Sequence, residues 1–376
     1  MKNLLSTPEG VRDLSGEELR RKRYIEERLL GTVRSFGYEE IETPAFEYFD
    51  VFSGEVGTTP SRELYKFFDK DGETLALRPD FTPSVVRHAA GVYKGGGEKL
   101  RFSYLGKTFN NVTSLQGKKR EVTQLGVEFF GDATAYGDAE ILGLVVRALW
   151  HTGLKDFQIA IGNADFFRGL CEEAGLDDVM EERLRGFVKA KNQVQAETLL
   201  AGLDIDKGIS EILLKCADLF GDFDSLKEAE ALMPKGESAG LAKSRAALER
   251  LQRVYELLAP YGAQGHISFD LGLLSKYHYY SGLIFKGYTY GHGDAIVTGG
   301  RYDHLGGLFG KEMPAIGFAV VIDDLMRAME WQKGDMGEPR QVSEETFTAQ
   351  EYERKVKEAL DRRERGEEVV LDYVGD

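Results

Sequence analysis

At 376 residues, 42% hydrophobic and 30% charged, the chain has the composition of a soluble globular protein of about two or three domains. Its longest apolar runs fall far short of the ~20 residues of a membrane helix, and the opening MKNLLSTPEG is not a signal peptide, so a cytoplasmic protein is expected. A net charge of −15 weighs against a broad nucleic-acid footprint, and isolated Cys171 and Cys216 with six scattered histidines show no ligand spacing, so no metal or cofactor is expected.

In chain order, the spacing predicts a helix from Gly16 to Phe36. Ile25, Leu29, Val33 and Phe36 share one face, Ser15 and Glu18 have capping-box spacing, and Gly37 suits the position past the end. YEEIETPAFEYF reads as a strand with a bend at Pro44, and ELYKFFDKDGETLALRPD as a hairpin turning at Asp71-Gly72. TPSVVRHAAGVY starts a helix, with Thr82 as N-cap and Pro83 in the first position. KLRFSYLGKTF and REVTQLGVEFFG read as two strands around a polar loop. In the second, Thr123, Leu125, Val127 and Phe129 form one face, a core face, and Gln124, Gly126 and Glu128 the other. Asp138 is placed to cap the helix AEILGLVVRALWHTG, and DFQIAIGN alternates as a strand. Residues 165–262 carry helical periodicity and almost no strand signal. Strands return at HISFDLGLL, SGLIFKGYTYG and DAIVTGG, followed by an apolar helix predicted from Ala315 to Glu330. Residues 331–376 read as one charged helix and a short strand. The expected fold is α+β, a mostly antiparallel sheet flanked by helices. Residues 1–164 and 263–330 form its core, 165–262 a helical insertion, and 331–376 a short charged tail.

The chemistry-bearing residues lean one way. Asp80, Gln124, Glu128 and Tyr279 or Tyr280 offer acceptors and hydroxyls with few cations, which suits a small cationic or amine-bearing ligand. Plainer roles stand beside this one. Asp80 can be a turn or capping residue, the tyrosines of YHYYSG can be packing, and GGRYD can be a tight turn with a packed tyrosine. Gly106-Lys107-Thr108 is not a P-loop, because Arg101 stands where the first glycine is needed.

LRPDFTPSVVR, YLGKTF…REVTQLGVEFFG, YHYYSGLIF and GGRYDHLGGLFG…MPAIGFAVVIDDL resemble, in that order, the motifs of histidyl-tRNA synthetases. The resemblance covers about residues 7–330 and implies a class II aminoacyl-tRNA synthetase-like antiparallel sheet with an inserted helical subdomain. It also implies where histidine is read. Asp80 and Thr82 stand beside the amino group, Gln124 and Glu128 match residue for residue, and Tyr279 and Tyr280 match the paired tyrosines near the imidazole. Three arginine positions depart from the synthetase pattern: Asn110, with Val112 replacing a nearby glutamate, then Ser275, then Asp324 beside Asp323. Adenylate formation needs preorganised cations on the α-phosphate, and losing one commonly costs ~10²–10³ in rate.

A synthetase core without those arginines, and without an anticodon-binding domain, is similar to the regulatory-subunit family of ATP phosphoribosyltransferase. That resemblance implies a non-catalytic homodimer joined to a short catalytic subunit, commonly four copies of each in a hetero-octamer. It implies a role in the first step of histidine biosynthesis, inhibition by L-histidine, and no tRNA. Two other readings compete: a synthetase-like enzyme that still activates histidine, and a scaffold with a vestigial pocket.

Overall fold

The computed structural model describes residues 4–53, 59–112, 119–274, 279–334, 336–337 and 342–374. They fall into two compact units, Met1–Asp13 with Lys22–Asp335 and Leu14–Arg21 with Met336–Asp376. The elements in order are α1 (Gly16–Ser35), β1 (Glu39–Glu40), β2 (Phe46–Tyr48), β3 (Lys66–Phe68), β4 (Thr74–Leu77), α2 (Thr82–Val92), β5 (Leu100–Phe109), β6 (Glu121–Phe130), α3 (Ala135–Thr152) and β7 (Phe157–Asn163). Then come α4 (Ala164–Glu173), α5 (Asp178–Lys189), α6 (Gln193–Ala201), α7 (Lys207–Lys215), β8 (Phe220–Gly221), α8 (Phe223–Leu232) and α9 (Ala239–Leu257). The rest are β9 (Ile267–Asp270), β10 (Leu283–Thr289), β11 (Val297–Arg301), β12 (Ala315–Val321), α10 (Ile322–Trp331), β13 (Val342–Phe347), α11 (Tyr352–Glu364) and β14 (Glu368–Tyr373).

One nine-stranded sheet, ordered β1-β5-β6-β12-β11-β10-β7-β9-β8, organises the first unit. Its pairs are antiparallel except β1–β5 and β7–β9, as the hairpin signals predict. The small sheet β2-β4-β3 contains the expected hairpin, and Gly72 takes the left-handed conformation at its turn (φ 89°). Ile25, Leu29 and Val33 of α1 are buried, as are Leu125, Val127 and Phe129 of β6. The other face of β6 is covered too. Val85, Val86 and Ala89 of α2 pack with Phe81, Tyr104, Phe130 and Tyr302. Both faces of this strand are therefore interior, and the polar side chains on the second face sit in a buried environment.

Six helices lie between Ala164 and Leu257. Asn163, Asp177, Asn192, Asp206, Asp222 and Ser238 each accept a first-turn N–H at one of their starts. Such a cap contributes about 1 kcal/mol, which helps helices as short as nine residues. The segment also holds β8, which pairs with β9 and ends the large sheet. Cys171 and Cys216 are free and fully buried, and burial raises both thiol pKa values, Cys216 to about 12. Among the described residues no helix is long and apolar enough to cross a membrane, and no group of His, Cys, Asp or Glu could hold a metal ion.

Three expectations are corrected. The apolar run predicted as a helix from Ala315 begins as a strand, β12, and turns helical only at Ile322. AIGFAVV sits between β6 and β11 with both faces covered, and a run apolar on both faces has no period by which to tell strand from helix. Asp138 does not cap α3; Thr134 precedes that helix. The Asp138 carboxylate is buried and accepts Arg301 Nε and Nη2 at 2.9 and 2.6 Å and Arg250 Nε at 2.6 Å. GGRYD is likewise not a tight turn. Its glycines and arginine end β11, and Arg301 also donates to the Asp132 carbonyl (2.8 Å) and to Asp303 (2.9 Å).

The second unit is richer than one helix and a short strand. β13 and β14 pair in parallel through α11, and Lys355 and Arg362 of that helix reach Glu345 of β13 at 2.7 and 2.5 Å. Thr348 and Glu351 form a capping box just before α11. Acidic residues along β13 conceal its strand character in the sequence.

Candidate functional site

A cavity of about 410 Å³ lies against the second face of β6. Gln124 and Glu128 project from that strand. Asp80 and Thr82 come from the start of α2, and Tyr279 and Tyr280 from the segment before β10. All six line this one cavity, together with Asn110, Val112 and Asp324. Ser275, and Tyr277 and His278 of YHYYSG, lie outside the described residues.

The centre of the cavity is a carboxylate held by hydroxyls. Glu128 is 1% exposed, and Oε1 accepts Thr82 Oγ1 at 2.8 Å and the Tyr104 hydroxyl at 3.4 Å. The Tyr302 hydroxyl donates to Oε2. Burial pushes the Glu128 pKa up to about 8. The bonds from Tyr302, Thr82 and Tyr104 work in the opposite direction, and the charge of Asp80 adds to the rise. A buried carboxyl of this kind favours a cation that replaces its proton. Thr82 therefore serves the site and not the helix start, contrary to its expected N-cap role. The helix begins after Phe81 without a side-chain cap bond from that residue. Asp80 Oδ1 takes the Thr82 N–H at 3.2 Å, so its turn role holds while it lines the cavity.

Beside this lies an unsatisfied acceptor. Gln124 Oε1 is buried and has no hydrogen-bond partner among the described residues. Such an atom normally meets a ligand or water, since an unmade buried bond costs about 1–3 kcal/mol. Tyr279 and Tyr280 stack obliquely (ring centroids 4.7 Å apart), and Tyr279 meets Tyr302 edge-on at 6.0 Å, making an aromatic wall.

Glycines make room for this arrangement. Gly126 pairs with Tyr104 on β5 and Ala319 on β12, and a Cβ at Gly126 would overlap the Tyr104 hydroxyl. The glycine between Gln124 and Glu128 is therefore what lets Tyr104 cross the strand towards the carboxylate. At Gly317, opposite Glu128, a Cβ would overlap Glu128 itself. Gly126→Ala is expected to lose about 1–3 kcal/mol of stability. Urea unfolding measures it, and a variant as stable as the parent would show that the two strands part freely.

Arg78 is not part of the cavity. It donates to the carbonyls of Lys107 (2.8 Å) and Thr43 (2.7 Å) and lies over the Phe81 ring at 4.0 Å, fixing the turn into α2. Sequence reasoning missed Tyr302, which grips Glu128, and two cations at the far end. Lys119 and Arg327 line the cavity near Asn110 and Asp324, so the pocket is less short of cations than expected. Arg327 lies one turn beyond Asp324 on α10, a relation that helical spacing shows once α10 is placed. Lys119 sits 3.5 Å from Asp324 and 3.8 Å from Asp323, and burial lowers its pKa against the pull of both. Its charge is engaged by those carboxylates, and Asp323 also accepts the Thr123 N–H at 3.0 Å.

Residues 10–325 match the family described as histidyl-tRNA synthetase. The chain is 41% identical to the ATP phosphoribosyltransferase regulatory subunit of Ruminiclostridium cellulolyticum over 86% of this chain and 76% of that protein. It is 40% identical to the regulatory subunit of Acetivibrio thermocellus over 89% and 78%. A Bacillus halodurans structure, described as an ATP phosphoribosyltransferase regulatory subunit/histidyl-tRNA synthetase, superposes with a TM-score of 0.87 at 31% identity, covering 100% of this chain and 94% of that one. Histidyl-tRNA synthetase from Nostoc, at 18% identity, shares the fold with a TM-score of 0.79, covering 99% and 86%. Together with the α+β architecture of the sheet, these matches establish that the chain belongs to the ATP phosphoribosyltransferase regulatory subunit family, built on the class II histidyl-tRNA synthetase fold.

Proposed function

We propose that this chain is a non-catalytic subunit that acts with a short-form ATP phosphoribosyltransferase catalytic subunit in the first step of histidine biosynthesis, and that it binds L-histidine as feedback effector. Homodimers of the chain would be the building block of a hetero-octamer in the cytoplasm. One observation carries the reading. Asp80, Thr82, Gln124, Glu128, Tyr279 and Tyr280 line a single cavity together with Asn110 and Asp324, the positions at which the resemblance to synthetases implies phosphate-binding arginines. The ammonium of histidine meets Asp80 and Glu128, the imidazole meets the tyrosine wall, and the unpaired Gln124 oxygen receives a donor. For feedback, histidine must bind the inhibited assembly more tightly than the active one.

Calorimetric titration of the purified chain with L-histidine, without ATP, tests the site. Saturable binding is expected, weakened about tenfold in Gln124→Ala, the loss of one hydrogen bond from a charged or buried partner. Binding unchanged in that variant would remove the cavity as the sensor. Histidine titrated into the reconstituted complex tests the feedback, and activity indifferent to histidine would refute that part.

The alternative, activation of histidine, draws on Lys119 and Arg327. Lys119 is engaged by two carboxylates, so little of its charge is offered to a phosphate. Histidine-dependent exchange of pyrophosphate into ATP would establish the alternative in place of the regulatory reading.

A further inference from the structure

The two faces of the small sheet β2-β4-β3 differ in character. Phe46 pairs with Leu77, and Tyr48 and Phe67 both pair with Leu75, so these five side chains share one face. Glu47 and Lys66 both pair with Ala76 and point the other way. That second face is covered. Ala76 is buried with Phe52 and Leu64, Lys66 Nζ lies over the Phe49 ring at 5.3 Å, and Arg87 of α2 holds Glu47 at 2.7 Å. The first face is open. Phe46 is 51% exposed, Tyr48 60% and Phe67 38%, with Leu75 and Leu77 half-buried among them. The Phe46 and Phe67 rings meet edge-on with centroids 5.7 Å apart, which makes the surface continuous. None of the five side chains is charged. The solvated face of an antiparallel sheet ordinarily carries polar residues, and a contiguous apolar patch in its place marks an interaction surface.

We propose that this face docks against the same face of a second copy of the chain. Two physical arguments select that occupant. Each copy has a net charge of −15, so two copies repel wherever their acidic surfaces approach, and a charge-free face lets them meet without burying like charges. A two-fold contact also needs a patch complementary to itself, and aromatic and leucine side chains meet that need with no pattern of charge to match. The three rings expose roughly 300 Å² per copy, which suits the charge-poor aromatic centre of an interface of about 800 Å² per partner. The inference rests on the homodimer in the function proposed above and names its surface.

Sedimentation velocity of the full chain over a dilution series tests the proposal. The parent is expected to sediment at twice its 42.0 kDa chain mass. The double variant Phe46→Glu/Tyr48→Glu should dissociate about 100-fold more readily, because it puts four carboxylates into the centre of the contact. Val179→Glu/Val194→Glu, at residues 69% and 72% exposed on α5 and α6, should leave the dimer unchanged. Hydroxyl-radical labelling of the parent gives a second readout that needs no variant. Phe46, Tyr48 and Phe67 should be labelled several-fold less in the dimer than after dilution to monomer. A dimer that survives the Phe46→Glu/Tyr48→Glu substitutions, with the three rings labelled equally at both concentrations, would overturn this surface and leave the homodimer standing. A parent that is monomeric throughout would overturn both. Rings protected only once the catalytic subunit is added would assign the face to that partner and overturn the proposal.

Discussion

Replacing Arg301 by methionine is expected to cost roughly 3–5 kcal/mol of folding stability, the penalty for stripping one partner from a buried ion pair. Arg301 is 4% exposed and Asp138 is 0% exposed. The guanidinium forks onto Asp138, reaches Asp303, and binds the Asp132 carbonyl, tying the end of β11 to the start of α3. Arg250 of α9 reaches the other oxygen of Asp138 at 2.6 Å and remains in the variant. It cannot satisfy the oxygen that Arg301 leaves. The double variant Arg301→Met/Asp138→Asn should recover much of the loss, since it no longer buries a charge without its fork. Urea unfolding of both proteins measures this. A single variant within about 1 kcal/mol of the parent, the range of an exposed pair, would show that water reaches Asp138.

Replacing Glu128 by glutamine should change both the pH dependence of stability and the ligand site. The folded protein holds the Glu128 proton to about pH 8, whereas a glutamate in water releases it near 4.5. Below about pH 4.5 both states are protonated and the group costs nothing. As pH rises from there to about 8, the unfolded chain releases its proton and the folded one retains it, so stability falls with pH. The integrated loss is roughly 3–5 kcal/mol. Glutamine keeps the shape and an acceptor for Thr82 and removes this slope, so Glu128→Gln should be the more stable protein at pH 8 and no more stable at pH 4.5. The same variant should lose histidine binding by a factor of roughly 10² or more, because a buried charge-assisted bond to the ammonium is gone. In the parent, histidine binding should release a proton, visible as a calorimetric enthalpy that varies with buffer, and affinity should rise as pH approaches 8. Equal pH profiles for parent and variant would show that Glu128 is ionised in the folded state at neutral pH.

Local pattern was legible wherever one face of an element meets one environment. Ile25, Leu29 and Val33 of α1, the β3–β4 hairpin with Gly72 at its turn, and the core face of β6 all follow from period and turn chemistry. β12 was hidden because a strand covered on both faces has no alternation, and the helix after it extended the same apolar run. Thr82 and Asp138 were misread for a shared reason. Both residue types are good at capping helices, and the sequence neighbourhood suggests that task. The partners that claim them, Glu128 and Arg301, lie 46 and 163 positions away. Tyr302 was missed as a site residue because packing and gripping a carboxylate use the same tyrosine.

The sequence by itself determined the family, the α+β class, and six residues that line the cavity, Asp80, Thr82, Gln124, Glu128, Tyr279 and Tyr280, because those rest on residue identity in an ordered set of motifs. The same motifs carry the expectation that Asn110 and Asp324 stand in place of cations. Only the tertiary structure decided what each group does. Folding α2 over the second face of β6 removes Glu128 from water and raises its pKa. The register of β5 against β6 makes Gly126 a passage for Tyr104. Closing α10 beside β6 engages Lys119 with Asp323 and Asp324. A side chain's charge state and partners depend on distances between segments far apart in the chain, and those distances exist only once the sheet has formed.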